Sequence, residues 1–143
     1  MRFLLPLLSV LLLAGCSSFE TQLEPEADLS KTERFWVERN LSDNHAMGTK
    51  IVRALRERGL QAELGPLTMM TSEPGLVILS FRDSWAWDFG DHITGLQVMV
   101  RDSRTKRLLG RAHFEGPLAM HLDEFEVIDR VLNDLLAAPR TED

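Results

Sequence analysis

The stretch that decides the fold is Leu76-Val-Ile-Leu-Ser-Phe-Arg-Asp-Ser-Trp-Ala-Trp87. Its odd-numbered positions are apolar except for Asp83. The apolar ones are Val77, Leu79, Phe81, Trp85 and Trp87. Consecutive side chains of a β-strand point to opposite faces of a sheet, so this spacing predicts a long strand with one apolar face.

Two further strands are predicted downstream of this segment. A turn at residues 89–92 leads to alternating Leu96, Val98 and Val100, and turn-forming residues 102–106 lead to a second alternating series. That series contains Leu108, Gly110, Ala112 and Phe114. Strands separated by short polar turns pair with their neighbours, so the centre of the chain predicts an antiparallel meander.

The flanking segments predict two helices and two shorter strands. Phe35 and Val37 share a face of a first strand, and residues 61–64 form another short strand. Between them, Met47, Ile51, Ala54 and Leu55 follow helical spacing, with Ser42 or Asp43 as a cap and Gly59 as a stop. A second helix begins near Asp123 and ends before Pro139, and its apolar residues are Phe125, Ile128, Leu132, Leu135 and Leu136.

This order of elements predicts an α+β fold. A mixed, mostly antiparallel sheet with two helices packed on one face, a two-layer sandwich, buries every apolar face in the pattern. The rule that crossovers are right-handed makes the first two predicted strands parallel.

The amino terminus has the pattern of an export signal. The run from Phe3 to Ala14 is too short to span a bilayer of ~30 Å as a helix, and it follows the positively charged Arg2. Leu13-Ala14-Gly15-Cys16 is similar to the lipobox of bacterial lipoproteins. The resemblance implies that residues 1–15 are a signal peptide that is cleaved, and that lipid such as palmitate modifies the Cys16 thiol. Ser17, where an Asp would retain the protein in the inner membrane, implies the periplasmic leaflet of the outer membrane.

A polar tether is predicted between the lipidated residue and the folded domain. Residues 16–33 are polar and acidic and contain Pro25, with no sustained apolar period. The alternative is that part of this segment packs as a strand. The first interpretation gives three regions: signal 1–15, lipidated terminus and tether 16–33, and a single domain 34–143.

Composition and charge exclude several classes of function. The chain has 143 residues, 44% of them hydrophobic and 27% charged, which is typical of a globular domain. Its net charge of −6 disfavours binding to nucleic acid and gives no basic face for anionic lipids. Cys16 is the only cysteine, so no disulfide can form within the chain, and attachment to a membrane depends on the lipid.

The sequence resembles a family of small, largely uncharacterised envelope lipoproteins of Gram-negative bacteria. The resemblance rests on the lipobox, on Trp85-Ala-Trp87-Asp88 ahead of the meander, and on Asp102-x-x-Thr105-x-x-x-Leu109-Gly110. It covers residues 75–136 beyond the signal and implies no catalytic residues. A more distant likeness to helix-backed sheet domains of lipoproteins in outer-membrane assembly concerns the fold alone.

Trp85, Trp87 and Asp88 form the candidate binding patch. Parity places both tryptophans on the sheet face expected to meet the helices, which predicts core packing for at least one of them. Asp83 interrupts the apolar series, however, and the hairpin can instead project beyond the helices. Exposed tryptophans would then mark a binding surface, because tryptophan is enriched at interface hot spots.

No motif specifies a reaction, a metal site or a cofactor. The four histidines at positions 45, 92, 113 and 121 lack the paired spacing of metal ligands. Asp83, Asp88, Asp91 and His92 could place carboxylates near an imidazole, although turns collect aspartates for structural reasons. We therefore expect no cofactor, no metal and no catalysis.

The leading hypothesis is a lipid-anchored, periplasm-facing module that binds or scaffolds another envelope component. An amphiphile-binding module, holding lipid or peptide between sheet and helices, is the first alternative, and it requires an apolar pocket of several hundred Å³. An unrecognised hydrolase is the second alternative, and it requires Asp88, Asp91 and His92 to converge in a cleft.

Overall fold

The computed structural model describes residues 17–87, 89–117 and 121–137. Within them six β-strands form one sheet and two α-helices pack against it. The strands are β1 Ser18–Leu23, β2 Arg34–Glu38, β3 Gln61–Gly65, β4 Leu76–Trp87, β5 Asp91–Asp102 and β6 Leu108–Glu115. The helices are α1 Met47–Glu57 and α2 Glu124–Leu136.

The sheet is mixed and open, with the strand order β1-β6-β5-β4-β2-β3. Strand β2 is parallel to both β3 and β4, while β4, β5, β6 and β1 pair antiparallel in succession. The predicted α+β fold is confirmed, and so are the antiparallel meander and the parallel pairing of the first two predicted strands. The long strand β4 follows the predicted segment from end to end.

Both helices begin where an aspartate accepts hydrogen bonds from free backbone N–H groups. Asp43, one of the two predicted caps, accepts from the amides of Met47 and Gly48, each at 2.8 Å. The N-cap position of α1 itself is Ala46, in the left-handed conformation. At α2, Asp123 accepts from the amide of Phe125 at 2.7 Å.

The core lies between the helices and one face of the sheet. Each helix buries one apolar stripe, and the sheet contributes alternate residues from its strands, including Ala62 of the edge strand β3. The largest fully buried side chains are Leu29, Val37, Met47, Ile51, Leu55, Leu79, Ile93, Leu96, Phe114, Ile128, Leu132 and Leu135. At ~25 cal/mol per Å² of apolar surface, this burial is the main source of stability in a domain that has no internal disulfide.

The segment predicted as a tether is partly folded, which corrects that expectation. Strand β1 pairs with β6 from Ser18 opposite Glu115 to Leu23 opposite Gly110. Leu29 is 2% exposed, and Phe19 and Leu23 pack against the core. The alternating side chains of β1 are polar on the solvent side, so the edge strand resembles a linker in composition. The folded domain therefore begins at Ser18 rather than near residue 34.

The connection between β3 and β4 is anchored to the sheet by polar contacts. Because β3 and β4 are both parallel to β2, residues 66–75 return the chain across the sheet. Arg34 pairs with Glu73, and the Ser103 hydroxyl donates to the carbonyl of Glu73 at 3.0 Å. Ser103 is fully buried, so this hydrogen bond satisfies a group that would be costly to leave without a partner.

Candidate functional site

The candidate site is the β4–β5 hairpin, which we call the tryptophan hairpin (residues 83–95, of which the structure describes all but Asp88). It is the turn end of strands β4 and β5, which pair from Val77 opposite Asp102 to Trp87 opposite Asp91. At the turn, Phe89 has a φ of 55° and Gly90 a φ of 144°. A left-handed backbone is uncommon for a bulky aromatic residue, and Phe89 is 98% exposed.

A β-bulge divides the hairpin from the rest of the meander. Ser84 pairs with Gly95, whereas Trp85 pairs with Ile93, so Thr94 is the additional residue on β5. On β5 the buried apolar side chains are even-numbered from Leu96 onward, whereas on the other side of the bulge the odd-numbered Ile93 is buried together with its neighbour His92. The bulge thus keeps Trp85 on the same side as the buried Ile93.

Trp85 is held by contacts on both ring and nitrogen. The ring stacks on His45, with centroids 3.9 Å apart and planes 9° apart. Its indole Nε1 donates to the carboxylate of Asp83, and the ammonium of Lys50 lies 5.7 Å from the ring centroid. Trp85 is partly buried against the core, so the polar Asp83 in the apolar series serves to bind the indole N–H.

His45 connects the β2–α1 loop to the hairpin. Its Nε2 lies 3.3 Å from the Oδ2 of Asp91, and its ring covers Trp85. Lys50 extends this contact to α2 through an ion pair with Glu124 at 3.1 Å. The β2–α1 loop, α1 and the hairpin therefore meet at Trp85, and the polar groups of this cluster bind one another.

Trp87 differs from Trp85 because it projects into solvent. Its exposed fraction is 76%, and with Phe89 it forms an exposed aromatic pair at the hairpin turn. The structure thus divides the two tryptophans: Trp85 packs against the core and Trp87 does not. Asp88, the third residue of the predicted patch, lies outside the described residues.

The predicted acidic cluster does not converge in a cleft. Asp83 binds the indole of Trp85 and Asp91 pairs with His45, whereas His92 is buried and stacks on His121 with centroids 4.2 Å apart. Asp91 and His92 are consecutive in a strand, so their side chains leave it in opposite directions. The described residues do not assemble the acid–base arrangement that the hydrolase alternative requires.

The remaining described residues add no second chemical site. Among them no group of three or more histidine, cysteine, aspartate or glutamate residues could hold a metal ion. Two carboxyl groups have a lowered pKa, and both accept hydrogen bonds from neighbouring residues in turns away from the hairpin. The Ser30 hydroxyl lowers the pKa of Asp28, and the backbone amide of Thr105 lowers the pKa of Asp102.

The space between sheet and helices is filled in the part of the chain that the structure describes. The residues that face each other there are almost fully buried and form one contiguous cluster. A groove of about 570 Å³ lies instead on the outside, lined by residues of α1 such as Val52 and Arg56 and by Leu64 of β3. The pocket that the amphiphile alternative requires is not observed between these layers.

The sequence predicted the hairpin but not the contact of His45 with Trp85 and Asp91. His45 and Asp91 are separated by 46 residues, and no local spacing could pair them.

Residues 1–16 lie outside the described residues. They contain the predicted signal peptide, the lipobox residues Leu13, Ala14 and Gly15, and the lipidation site Cys16. No described helix has the length and apolar character needed to cross a bilayer.

Comparison with known proteins establishes a likeness of fold. No protein-family model matches the chain, and no curated protein matches it significantly. The PelC dodecamer from Paraburkholderia phytofirmans is similar in structure, with a TM-score of 0.63 and 16% identity over 85% of this chain and 99% of that chain. A variant of the same PelC gives a TM-score of 0.60 at 15% identity, over 85% and 98% of the two chains.

A weaker similarity is to a minor lipoprotein from Acinetobacter baumannii. Its TM-score is 0.31 at 13% identity, over 73% of this chain and 82% of that chain. A score of this size does not establish a common fold. The likeness to PelC extends over almost all of that chain, so the two proteins share a fold across the whole domain.

Proposed function

We propose that this protein is a lipid-anchored, periplasm-facing module of the bacterial envelope, without catalytic activity, that binds through its tryptophan hairpin. The observation that carries the proposal is the exposed aromatic pair, Trp87 at 76% and Phe89 at 98%. Large aromatic side chains in water are unfavourable unless a partner covers them, and tryptophan is enriched where partners bind.

The arrangement around Trp85 supports a binding role rather than a reaction. His45, Asp83, Asp91, Lys50 and Glu124 are engaged within the cluster, and they fix the base of the hairpin. A contact surface benefits from such a rigid base, since less conformational entropy is lost when the partner binds. A catalytic site would instead direct a carboxylate and an imidazole into a shared cleft.

Location in the envelope follows from the amino terminus and is part of the proposal. Lipid on Cys16, after removal of residues 1–15, would attach the domain to the periplasmic leaflet of the outer membrane. Two or three acyl chains give stable attachment, whereas a single chain gives marginal binding. The proposed palmitate is a covalent modification and not a cofactor.

Replacement of Cys16 tests this location. In cells labelled with radioactive or alkyne palmitate, the wild-type protein should incorporate label and fractionate with the outer membrane. Cys16→Ser should incorporate none, because serine has no thiol for diacylglyceryl transfer. Ser17→Ala is the matched control and should remain labelled. Incorporation of palmitate by Cys16→Ser would refute lipidation at this residue.

The fold likeness favours one form of scaffolding, an assembly of copies of this chain. PelC forms a dodecamer, and a closed assembly of identical subunits could present the hairpins of all copies on one side. Light scattering of the lipidated protein in detergent, after chromatography, measures the mass of the complex. A multiple of the monomer mass supports the scaffolding form, and a strict monomer at micromolar concentration contradicts it.

A further inference from the structure

We propose that the tip of the tryptophan hairpin inserts into the lipid surface beside the anchored Cys16, so that the domain is seated on the bilayer in one orientation. The hairpin tip consists of Trp87, Phe89 and Gly90. The inference rests on the proposed lipid anchor and identifies the hairpin's partner as the membrane that carries it.

The register of the sheet places the start of the domain at the end that carries the hairpin tip. Ser18 of β1 pairs with Glu115 of β6, Glu115 pairs with Gly95 of β5, and Gly95 pairs with Ser84 of β4. These four residues form one row across the sheet. Strand β1 runs in the same direction as β5, so the chain enters β1 from the side of the hairpin tip.

Distances along the strands bring the tip and the anchor to a similar height. Trp87 is three residues beyond Ser84, or ~10 Å at the rise of an extended strand. Cys16 is two residues before Ser18, so chain geometry keeps it within ~7 Å of that row. A lipid on Cys16 would therefore keep this end of the sheet close to the head groups, because only Ser17 separates Cys16 from strand β1.

Trp87 and Phe89 are two of the six exposed large apolar side chains of the described residues, and both lie at this end, whereas Leu67 and Met69 lie in the β3–β4 connection. Leu41, in the loop that follows β2, is 95% exposed, and Asn40 beside it donates to the carbonyl of Phe81 at 3.4 Å. This contact is with Phe81, six residues or ~20 Å before Trp87 along β4, so Leu41 is not part of the hairpin tip. The opposite end of the same strands carries the polar turn Ser103-Arg-Thr-Lys-Arg107.

The chemistry of the tip suits the polar–apolar boundary of a bilayer. Tryptophan is enriched at that boundary because its ring is apolar and its N–H binds water or head groups. Asp91 and Glu115 are exposed at the same end, so attraction to anionic lipid is not expected. Zwitterionic phosphatidylcholine should therefore suffice as the surface, and the insertion should not depend on salt.

A fluorophore at position 89 tests the insertion in the full, lipidated protein. Acylation blocks Cys16, the only native cysteine, so Phe89→Cys introduces a single free thiol for an NBD label. Arg104→Cys, exposed in the turn at the opposite end, is the matched control. Each protein is reconstituted into phosphatidylcholine vesicles with and without lipid carrying a nitroxide on the acyl chain.

We expect blue-shifted NBD emission at position 89, with quenching by the nitroxide lipid about twofold or more above that at position 104. Equal quenching at positions 89 and 104, in protein that floats with the vesicles, would overturn the insertion and leave the anchor intact. This outcome would also be the result if the hairpin bound only another protein. A wild-type protein that fails to float, with Cys16 reactive to maleimide, would overturn the anchor and the insertion together.

Discussion

Replacing the two hairpin tryptophans should have very different effects on stability. Trp85→Ser removes a ring that packs against the core, stacks on His45 and binds Asp83 through its N–H. Trp87→Ser removes a ring that is 76% exposed. The two substitutions are chemically identical and lie two residues apart in one strand, so each serves as the control for the other.

The magnitudes depend on how much of each ring is removed from water. A fully buried aromatic side chain removes ~150–250 Å² from water, so the partly buried Trp85 removes ~100 Å². At ~25 cal/mol per Å², its loss lowers the free energy of unfolding by ~2–3 kcal/mol. A substitution at a free surface changes that free energy by at most ~0.5 kcal/mol, which is the expectation for Trp87→Ser.

Urea denaturation of residues 17–143, followed by far-ultraviolet circular dichroism, measures both effects. With a slope of ~2 kcal/mol per M, Trp85→Ser should lower the midpoint by ~1 M, and Trp87→Ser should shift it by ~0.3 M or less. Circular dichroism is required because the substitutions alter the fluorescence signal. Near-neutral results for both variants, or an equal loss for Trp87→Ser, would refute the division between a packed and a projecting tryptophan.

The amino-terminal strand, the cap of α1 and the turn at Asp102 each allow a further test. Residues 34–143 alone should unfold at a lower urea concentration than residues 17–143, because the truncation removes strand β1 and buried Leu29; equal midpoints would show that the amino-terminal segment adds no stability. Asp43→Ala should cost ~1 kcal/mol in the same assay through loss of its hydrogen bonds to α1, and Ser42→Ala, which removes none of them, should be neutral. The pKa of Asp102 is lowered in the folded state, so its ionised carboxylate stabilises the fold at pH values above the ordinary pKa of 3.8. This stabilisation is lost as the pH falls through the lowered pKa. Asp102→Asn should therefore flatten the dependence of stability on pH below pH 3.8, and it should match the wild type at the acid limit.

Much of the architecture follows from local patterns in the sequence. Alternation from Leu76 to Trp87 and the two series after it specify the meander, because a period of two commits each side chain to one face. The helical spacing around Ile51 and Ile128 specifies α1 and α2, and short connections leave few ways to pack them. These elements are long and strongly periodic, which is why local reasoning predicts them correctly.

The amino-terminal strand shows where local reasoning fails. Residues 18–23 alternate weakly, and their solvent side is polar, so composition alone indicates a linker. Their strand state depends on the free edge of β6, which exists only once the meander has formed. Pairing with an existing edge satisfies backbone groups that a linker would leave to water, and this contribution is invisible in the segment itself.

The candidate site divides in the same way. The sequence by itself determined that two tryptophans lie on a hairpin and that a lipobox-like motif lies near the amino terminus. The separation of Trp85 from Trp87 depends on tertiary contacts, because His45 from a distant loop and the core cover Trp85 and leave Trp87 exposed. The nearness of the hairpin tip to the anchored end likewise depends on the strand register. The covering of Trp85 and this nearness both arise between segments that are far apart in the chain. Such arrangements are fixed only when the sheet assembles.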